Sequence, residues 1–367
     1  MSEKKETSTL ARFLMTTACF VVVIWGLNAS QEFVVPFLLS VMVAALTAPP
    51  LFWLKSKGLP SWAALAAVLL VVVIGVVAVA TVIGSSASGF MERKGAYGNE
   101  LQEKLDMLYA GFDSMGWEKP EKVIGEQLDP SRVMAFFAAS IKTMTGVLAN
   151  AFLILLTVLF ILLEAATFSG KLQAAFGPGQ GTLGPFEEFL KSINRYLVIK
   201  TGMSALTGVL AGIFLAIMGV PFAALWGLVA FLLNYIPTIG SILAAIPAVL
   251  LALVELGSGG AVGVGIGYVV LNVGIGNILE PRLMGRGLGL SALVIFISLA
   301  FWGSVLGVGG ALLSVPLTVA VKIALGVRED TRWLAILMGS GAGARMASAG
   351  SAAPAAEEAG NTDGGPG

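Results

Sequence analysis

The chain has 367 residues, 57% of them hydrophobic and 12% charged, with a mean hydropathy of +0.90 and a formal net charge of zero. Ordinary globular domains carry roughly 25% charged residues, so this composition predicts a polytopic membrane protein and provides no basic field for nucleic acid. The absence of histidine excludes histidine metal sites and serine-histidine proteolysis, and the single cysteine, Cys19, excludes an intrachain disulfide.

Four apolar runs in the first half are long enough to span a membrane, since about 20 helical residues cross a hydrocarbon core about 30 Å thick. They cover residues 10–27, 33–54, 62–83 and 145–163. Lysine and arginine clusters precede the first run and follow the second and the fourth, so the positive-inside rule places these loops in the cytoplasm. The first run lacks a small-residue cleavage site and is interpreted as a span. Residues 1–84 therefore hold spans one to three, and residues 144–166 hold span four.

The segment between spans three and four, residues 85–143, then lies outside the cytoplasm and carries many of the charges. Within it Leu101, Leu105, Leu108 and Phe112 recur at helical spacing. This periodicity predicts an amphipathic helix with one buried stripe, which forms part of a small helical extramembrane subdomain.

Two further segments are predicted to lie on the cytoplasmic side. Residues 167–202 include an amphipathic helix, because the apolar residues between 186 and 197 share one face and the charged residues share the other. Residues 326–367 form a tail that is rich in Gly, Ala and Ser from residue 339 onward, and this composition predicts no structure there.

The C-terminal region, residues 203–325, contains one pattern twice. GVPFAALWGLVAFLL (219–233) matches GLSALVIFISLAFWG (289–303) in its opening glycine and its Ala-Phe pair. Gly240 and Pro247 are spaced as Gly309 and Pro316 are. Each copy reads as an apolar helix, a break (NYIPTI or GSVLGV), and a second apolar helix with an early glycine and a proline. The pattern predicts two broken-helix hairpins in an all-α fold of about eight spans.

The positive-inside rule predicts that these hairpins are inverted with respect to each other. Residues 203–218 leave the cytoplasm and residues 260–279 return to it, so the first hairpin starts and ends outside and the second inside. Inverted broken-helix pairs are typical of secondary transporters, in which unwound backbone at membrane depth lines a cavity. The alternative is a pair of ordinary two-span hairpins with proline kinks.

NILEPRLMGRGLGL (277–290) holds three of the four charges between Lys200 and Lys322, namely Glu280, Arg282 and Arg286. A charge at the bilayer centre costs on the order of 2.5 to 3.5 kcal/mol, so these residues are expected at the cytoplasmic edge, where arginines reach the headgroups and Glu280 neutralises part of their charge. A compatible functional interpretation is that Glu280 and one arginine contact a polar solute or lock a cytoplasmic gate as an ion pair.

The candidate residues for the substrate pathway or gate lie at the helix breaks and in the charged stretch. They are Asn234, Pro237, Gly240, Pro247, Asn277, Glu280, Arg282, Arg286, Gly307, Gly310 and Pro316. Glu255, the fourth charge, is expected at the outer rim, and Glu255 and Glu280 are the two candidates for ion coupling. The asparagines have a structural alternative, which is to bond backbone groups freed at the breaks. No catalytic residue, metal site or cofactor is predicted.

Three segments together resemble the autoinducer-2 exporter (AI-2E) family of bacterial membrane proteins. These are NYIPTIGSILAAIPAVLLAL (234–253), NILEPRLMGRGLGL (277–290) and SLAFWGSVLGVGGALLSVPLTVAVK (298–322). That family carries an IPxxGxxxxxIPA motif, an EPxxxGxxxGL motif and a GxxGxxLxVP motif in this order. All three are present here, and the similarity extends to about residue 332.

The resemblance implies an inner-membrane protein with eight spans and both termini in the cytoplasm. It further implies export of the quorum-sensing signal autoinducer-2 or other small solutes, with sodium/proton exchange in some members, and ring-like homo-oligomers that include pentamers.

Three functions are therefore carried forward. The first is export of a small polar metabolite, similar to autoinducer-2, through a cavity between the hairpins whose broken ends are exposed alternately. The second is antiport of a monovalent cation such as Na⁺ against protons. The third is a non-transporting membrane scaffold whose extramembrane subdomain binds a partner.

Overall fold

The computed structural model describes residues 3–114, 130–176, 183–237, 239–284, 290–327 and 329–339. Within these ranges the chain is helical, with one isolated β-bridge between Leu290 and Gly339 and no β-strand. The prediction of an all-α membrane protein is confirmed. The charged residues Arg286 and Arg328 and the tail from residue 340 lie outside the described ranges.

Eleven α-helices are described, together with a π-helix at Asn272–Leu279 and a 3₁₀ turn at Glu329–Thr331. The helices are α1 (Glu3–Ala29), α2 (Gln31–Ser56), α3 (Ser61–Ser114), α4 (Pro130–Ala149), α5 (Ala151–Phe176), α6 (Leu183–Met218), α7 (Ala223–Leu233), α8 (Ile239–Leu271), α9 (Glu280–Met284), α10 (Ala292–Val327) and α11 (Arg332–Leu337). The described segments that are long and apolar enough to cross a membrane are Gln31–Ser56, Ser61–Arg93, Lys191–Met218, Ile239–Met284 and Ala292–Gly326. Three shorter apolar helices accompany them.

The chain forms two compact units. The first comprises Met1–Gln31, Gly181–Tyr196 and Met284–Gly367, and the second comprises Glu32–Gln180 and Leu197–Leu283. The first hairpin and the charged end of α9 belong to the second unit, whereas the second hairpin belongs to the first.

One helix, α3, continues where the sequence predicts a span followed by a separate helix. No proline interrupts Ser61–Ser114, so nothing forces the helix to end at residue 84. Phe90, Tyr97 and Leu101 are buried on one face, and they pack with Phe137 and Ile141 of α4. The sequence predicts a buried stripe of Leu101, Leu105, Leu108 and Phe112. Leu101 is buried, and the side chains of the other three lie outside the described part. We call residues 84–114 and 130–149 the α3–α4 arm.

Glycines let α6 and α7 approach closely within the second unit. Gly208 and Gly212 form a GxxxG spacing on α6 and face Gly227 of α7. A Cβ atom at Gly208 would lie 2.7 Å from the Gly227 carbonyl oxygen, and one at Gly227 would lie 2.7 Å from the Gly208 carbonyl oxygen. Membrane helices associate through such small residues because lipid provides no hydrophobic force between them.

The long helix α8 folds back on itself at Gly257, whose φ of 76° and ψ of −172° are not helical. The Val249 side chain lies 4.0 Å from the Cβ position at Gly265. In a straight helix these residues would be about 24 Å apart. Residues 239–256 are therefore one helix, and residues 258–271 begin a second helix that runs back toward Glu280; we call residues 258–280 the return helix.

The α6–α7 contact yields a stability prediction. Gly208→Ala places a methyl group against a backbone carbonyl that cannot move freely, and overpacking of this kind costs about 1–3 kcal/mol. Gly202→Ala on the same helix meets open space and gains the better helix propensity of alanine, about 1 kcal/mol. Thermal unfolding in detergent should therefore fall for the first variant and hold or rise for the second. Equal melting temperatures for the two would contradict the close contact.

Candidate functional site

The first helix break lies between α7 and α8, at the residues NYIP that the sequence singles out. Pro237 has no N–H to donate, and the chain leaves the helix after Leu233 and resumes it at Ile239. The turn from α7 into α8 is tight, because a Cβ atom at Gly240 would overlap the Leu233 carbonyl oxygen. Pro247 lies buried inside α8. The structure thus brings Asn234, Pro237 and Gly240 together at this break.

Helix α6 holds the break through two side-chain hydrogen bonds. Asn234 Nδ2 donates to Ser204 Oγ at 3.0 Å, and the Tyr235 hydroxyl donates to Thr201 Oγ1 at 2.7 Å. Ser204, Asn234 and Tyr235 are buried. The Asn234 side chain therefore bonds a neighbouring helix rather than the freed backbone, which sequence analysis considered as its alternative.

A buried ion pair lies on the same helix, one residue before Thr201. Lys200 Nζ is 2.6 Å from Glu280 Oε1, and the two side chains are 6% and 15% exposed. The sequence predicts that Glu280 pairs with an arginine, but Arg282 is exposed and Arg286 lies outside the described residues. Removing one partner of a buried pair leaves an uncompensated charge and costs about 3–5 kcal/mol. The pair therefore ties α6 to the end of the return helix.

Glu280 follows directly on the π-helix Asn272–Leu279. Its backbone N–H bonds the Ile275 carbonyl, five residues earlier, so this stretch is wound more widely than an α-helix. The wider winding changes which face of the return helix Glu280 occupies. Asn272 is half-buried and Asn277 is exposed, so the structure does not bring Asn277 to the polar cluster. We call Lys200, Thr201, Ser204, Asn234, Tyr235 and Glu280 the inner polar cluster.

The other end of the return helix has an ion pair of its own. Arg93 Nη2 of α3 lies 3.4 Å from Glu255 Oε1, two residues before the Gly257 turn. The Arg93 guanidinium also lies over the Tyr97 ring, 4.9 Å from its centroid. Burial raises the pKa of the Tyr97 hydroxyl; Arg93 opposes this rise and Glu255 adds to it. Tyr97 therefore stays protonated and keeps a hydrogen to donate.

The second predicted break is present in α10 at Gly307, with φ 64° and ψ −150°. The helix folds back there, since the Ser298 hydroxyl donates to the Ser314 carbonyl and bonds Thr318, and Trp302 Nε1 donates to Thr318 Oγ1. A straight helix would separate residues 298 and 318 by about 30 Å.

Gly310 packs tightly in this hairpin, because a Cβ atom there would overlap the Trp302 carbonyl oxygen. Gly310 is therefore the structural counterpart of Gly240, one residue after the glycine that the sequence spacing aligns with it. Pro316 lies in the second half of α10.

Helix α1 supplies a partner at this break that sequence analysis missed. Asn28 Nδ2 donates to the Val305 carbonyl at 3.0 Å, and Gln31 Oε1 lies 3.8 Å from the Cβ position at Gly307. Phe20 stacks on Phe301, with ring centroids 6.5 Å apart. The sequence contains one signal for this contact, because Asn28 is a carboxamide residue at the end of an otherwise apolar span.

Comparison with known proteins gives consistent matches along the chain. The family described as AI-2E family transporter matches residues 11–329. The AI-2 transport protein TqsA of Escherichia coli strain K12 is 36% identical over 327 residues, which cover 89% of this chain and 95% of that protein. A putative transport protein of Haemophilus influenzae is 37% identical over 336 residues, covering 90% and 97% of the two chains.

Putative transport protein YhhT of Escherichia coli K12 is 34% identical over 342 residues, covering 93% of this chain and 98% of that protein. These relatives are transport proteins rather than enzymes. The three motifs, the helical membrane fold and these matches agree, and the chain belongs to the AI-2E transporter family.

Proposed function

We propose that this transporter exports a small polar metabolite, similar to autoinducer-2, across the bacterial inner membrane, with both termini in the cytoplasm. The observation that carries the proposal is the inner polar cluster, where α6 holds the broken end of the first hairpin. The relative TqsA is named an AI-2 transport protein, which supports the choice of solute class.

The chemistry of the cluster favours a neutral, hydroxylated solute. Thr201, Ser204, Asn234 and Tyr235 offer uncharged donors and acceptors, which match hydroxyl and carbonyl groups. The charges of Lys200 and Glu280 compensate each other at 2.6 Å, so the cluster presents no net charge to an ionic solute. When such a solute passes, its hydroxyl and carbonyl groups take over the hydrogen bonds within the cluster. Neither the solute nor the protein is then left with an unpaired buried polar group.

Transport in this proposal uses alternating exposure of the broken helix ends. Irregular backbone in a membrane protein is tolerated where it is buried in protein or lines a water-filled cavity, and the NYIP break lies beside the polar cluster. Glycine at positions 240 and 257 gives the chain turns that it can adopt without a side-chain clash. Assembly into a ring-like homo-oligomer within the bilayer, such as a pentamer, belongs to the same proposal.

The antiporter alternative rests on the carboxylates of the C-terminal half. Glu255 and Glu280 are the candidates, and each already has a cationic partner, Arg93 and Lys200. A transported sodium ion would have to displace that partner.

The scaffold alternative rests on the α3–α4 arm, but Phe137 of the arm packs on Trp226 of the first hairpin, with ring centroids 5.4 Å apart. The arm is thus built into the transport unit, which favours transport over scaffolding.

A flux assay tests the leading function. Purified protein in liposomes should release labelled autoinducer-2 faster than empty vesicles do. Asn234→Ala should slow release about tenfold, because it leaves the buried Ser204 hydroxyl unpaired, a loss of about 1–3 kcal/mol. Asn150→Ala removes an exposed amide on another segment and serves as the matched control. Release no faster than from empty vesicles would refute the proposed solute.

A pH-sensitive dye inside the same liposomes tests the antiporter. The proposal predicts no sodium-dependent proton movement in the wild type. If such movement occurs, Glu255→Gln and Glu280→Gln decide its route, since both remove a carboxylate and keep its shape. Sodium/proton exchange that both variants retain would exclude these two residues as carriers, and exchange that either variant abolishes would favour the antiporter.

Substitution in the α3–α4 arm separates transport from scaffolding. Phe137→Ala should reduce both thermal stability and autoinducer-2 flux, since emptying a buried aromatic site costs about 3–5 kcal/mol. Lys142→Ala, which changes an exposed residue of the same helix, should leave both unchanged. Full flux with loss of partner-protein capture in Phe137→Ala would instead support a scaffold.

A further inference from the structure

The return helix joins the two carboxylates that lie between Lys200 and Lys322. Glu255 lies just before its first residue and Glu280 is its last. A helix of this length extends about 35 Å, which is close to the thickness of a hydrocarbon core, about 30 Å. The two carboxylates therefore stand near opposite faces of the bilayer.

Each carboxylate pairs with a cation from a different helix. Arg93 of α3 holds Glu255, and Lys200 of α6 holds Glu280. The pairs differ in exposure, since Arg93 is 53% exposed and Lys200 is 6% exposed. Water and salt screen the first pair more than the second, so the end at Lys200 is held more firmly.

Each ion pair also adjoins an irregular stretch of backbone. Gly257, with φ 76°, follows Glu255 by two residues, and the π-helix Asn272–Leu279 runs directly into Glu280. Such irregularities are places where a helix can bend without breaking its whole hydrogen-bond ladder. The return helix thus has a hinge and an ionic contact at each end.

One buried hydroxyl on this helix is left without a hydrogen bond in the present arrangement. The Tyr268 hydroxyl has no hydrogen-bond partner among the described residues. Buried polar groups are normally paired, and an unpaired one costs stability that a second arrangement can recover. A shift of the return helix would change the surroundings of this hydroxyl.

We propose that Arg93–Glu255 and Lys200–Glu280 are opposed latches, and that opening one pair exposes the transport pathway at its end while the other pair keeps the far end closed. This inference rests on the proposed transport function and adds its gating residues. Both pairs are formed in the resting protein, which is therefore closed at both ends, and the more buried Lys200 pair opens less readily than the Arg93 pair. The latches act through helix position, so Arg93 and Lys200 are positioning residues.

Cysteine accessibility tests the latches without reference to any solute. In a Cys19→Ser background, Ser204→Cys reports on the Lys200 end and Val254→Cys on the Arg93 end, because both sites are buried at rest. A membrane-impermeant maleimide is applied to sealed vesicles of each orientation, and the labelling rate follows the population of the open state.

Neutralising one pair should expose its own end and close the other. Lys200→Met/Glu280→Leu, which removes the pair without orphaning a buried charge, should raise Ser204→Cys labelling about tenfold and lower Val254→Cys labelling. Arg93→Met/Glu255→Gln should do the reverse. The charge exchanges Lys200→Glu/Glu280→Lys and Arg93→Glu/Glu255→Arg rebuild each pair and should restore wild-type labelling.

The outcomes separate the latches from the proposed solute. Reciprocal labelling shifts without autoinducer-2 flux would support the latches and refute only the solute. Unchanged labelling of both probes in folded double variants, with flux intact, would overturn the latches and leave the pairs as static structural contacts.

Discussion

Irregular backbone in a membrane protein is tolerated where it is buried in protein or lines a cavity, and at both helix breaks of this chain a polar side chain of another helix contacts the break. The break after α7 is held by Ser204 and Thr201 of α6. The break at Gly307 is met by Asn28 of α1 and by the hydroxyls inside the hairpin. Both interrupted hairpins thus have polar side chains packed at the point of interruption.

Close packing lets these interruptions form within a small space. Gly240 and Gly310 allow a helix to begin against the carbonyl end of the preceding one, and Gly227 brings α7 close enough to α6 for Asn234 to reach Ser204. A larger residue at any of these positions would separate the helices that make the hydrogen bonds. Function therefore depends on residues that never touch a solute.

Much of the fold could be predicted from the sequence, because its signals are local. Apolar runs predicted the apolar helices, and proline and glycine predicted the two interrupted hairpins. The arrangement of polar partners could not be predicted, because it joins residues far apart in the chain. Lys200 meets Glu280 across 80 residues and Asn28 meets Val305 across 277. The continuation of α3 was also missed, since its helical arm is stabilised by packing on α4 rather than by a signal of its own. The inverted orientation of the hairpins stays a prediction.

The central claim is that a polar solute passes the inner polar cluster beside the broken end of α7. Protection of a cysteine at Ser204 tests it most directly, in a Cys19→Ser background with the proteoliposome system. Saturating autoinducer-2 should slow maleimide labelling of Ser204→Cys and leave labelling of an exposed site such as Asn150→Cys unchanged. Labelling of Ser204→Cys that is unaffected by the solute, while the same vesicles transport it, would contradict the account.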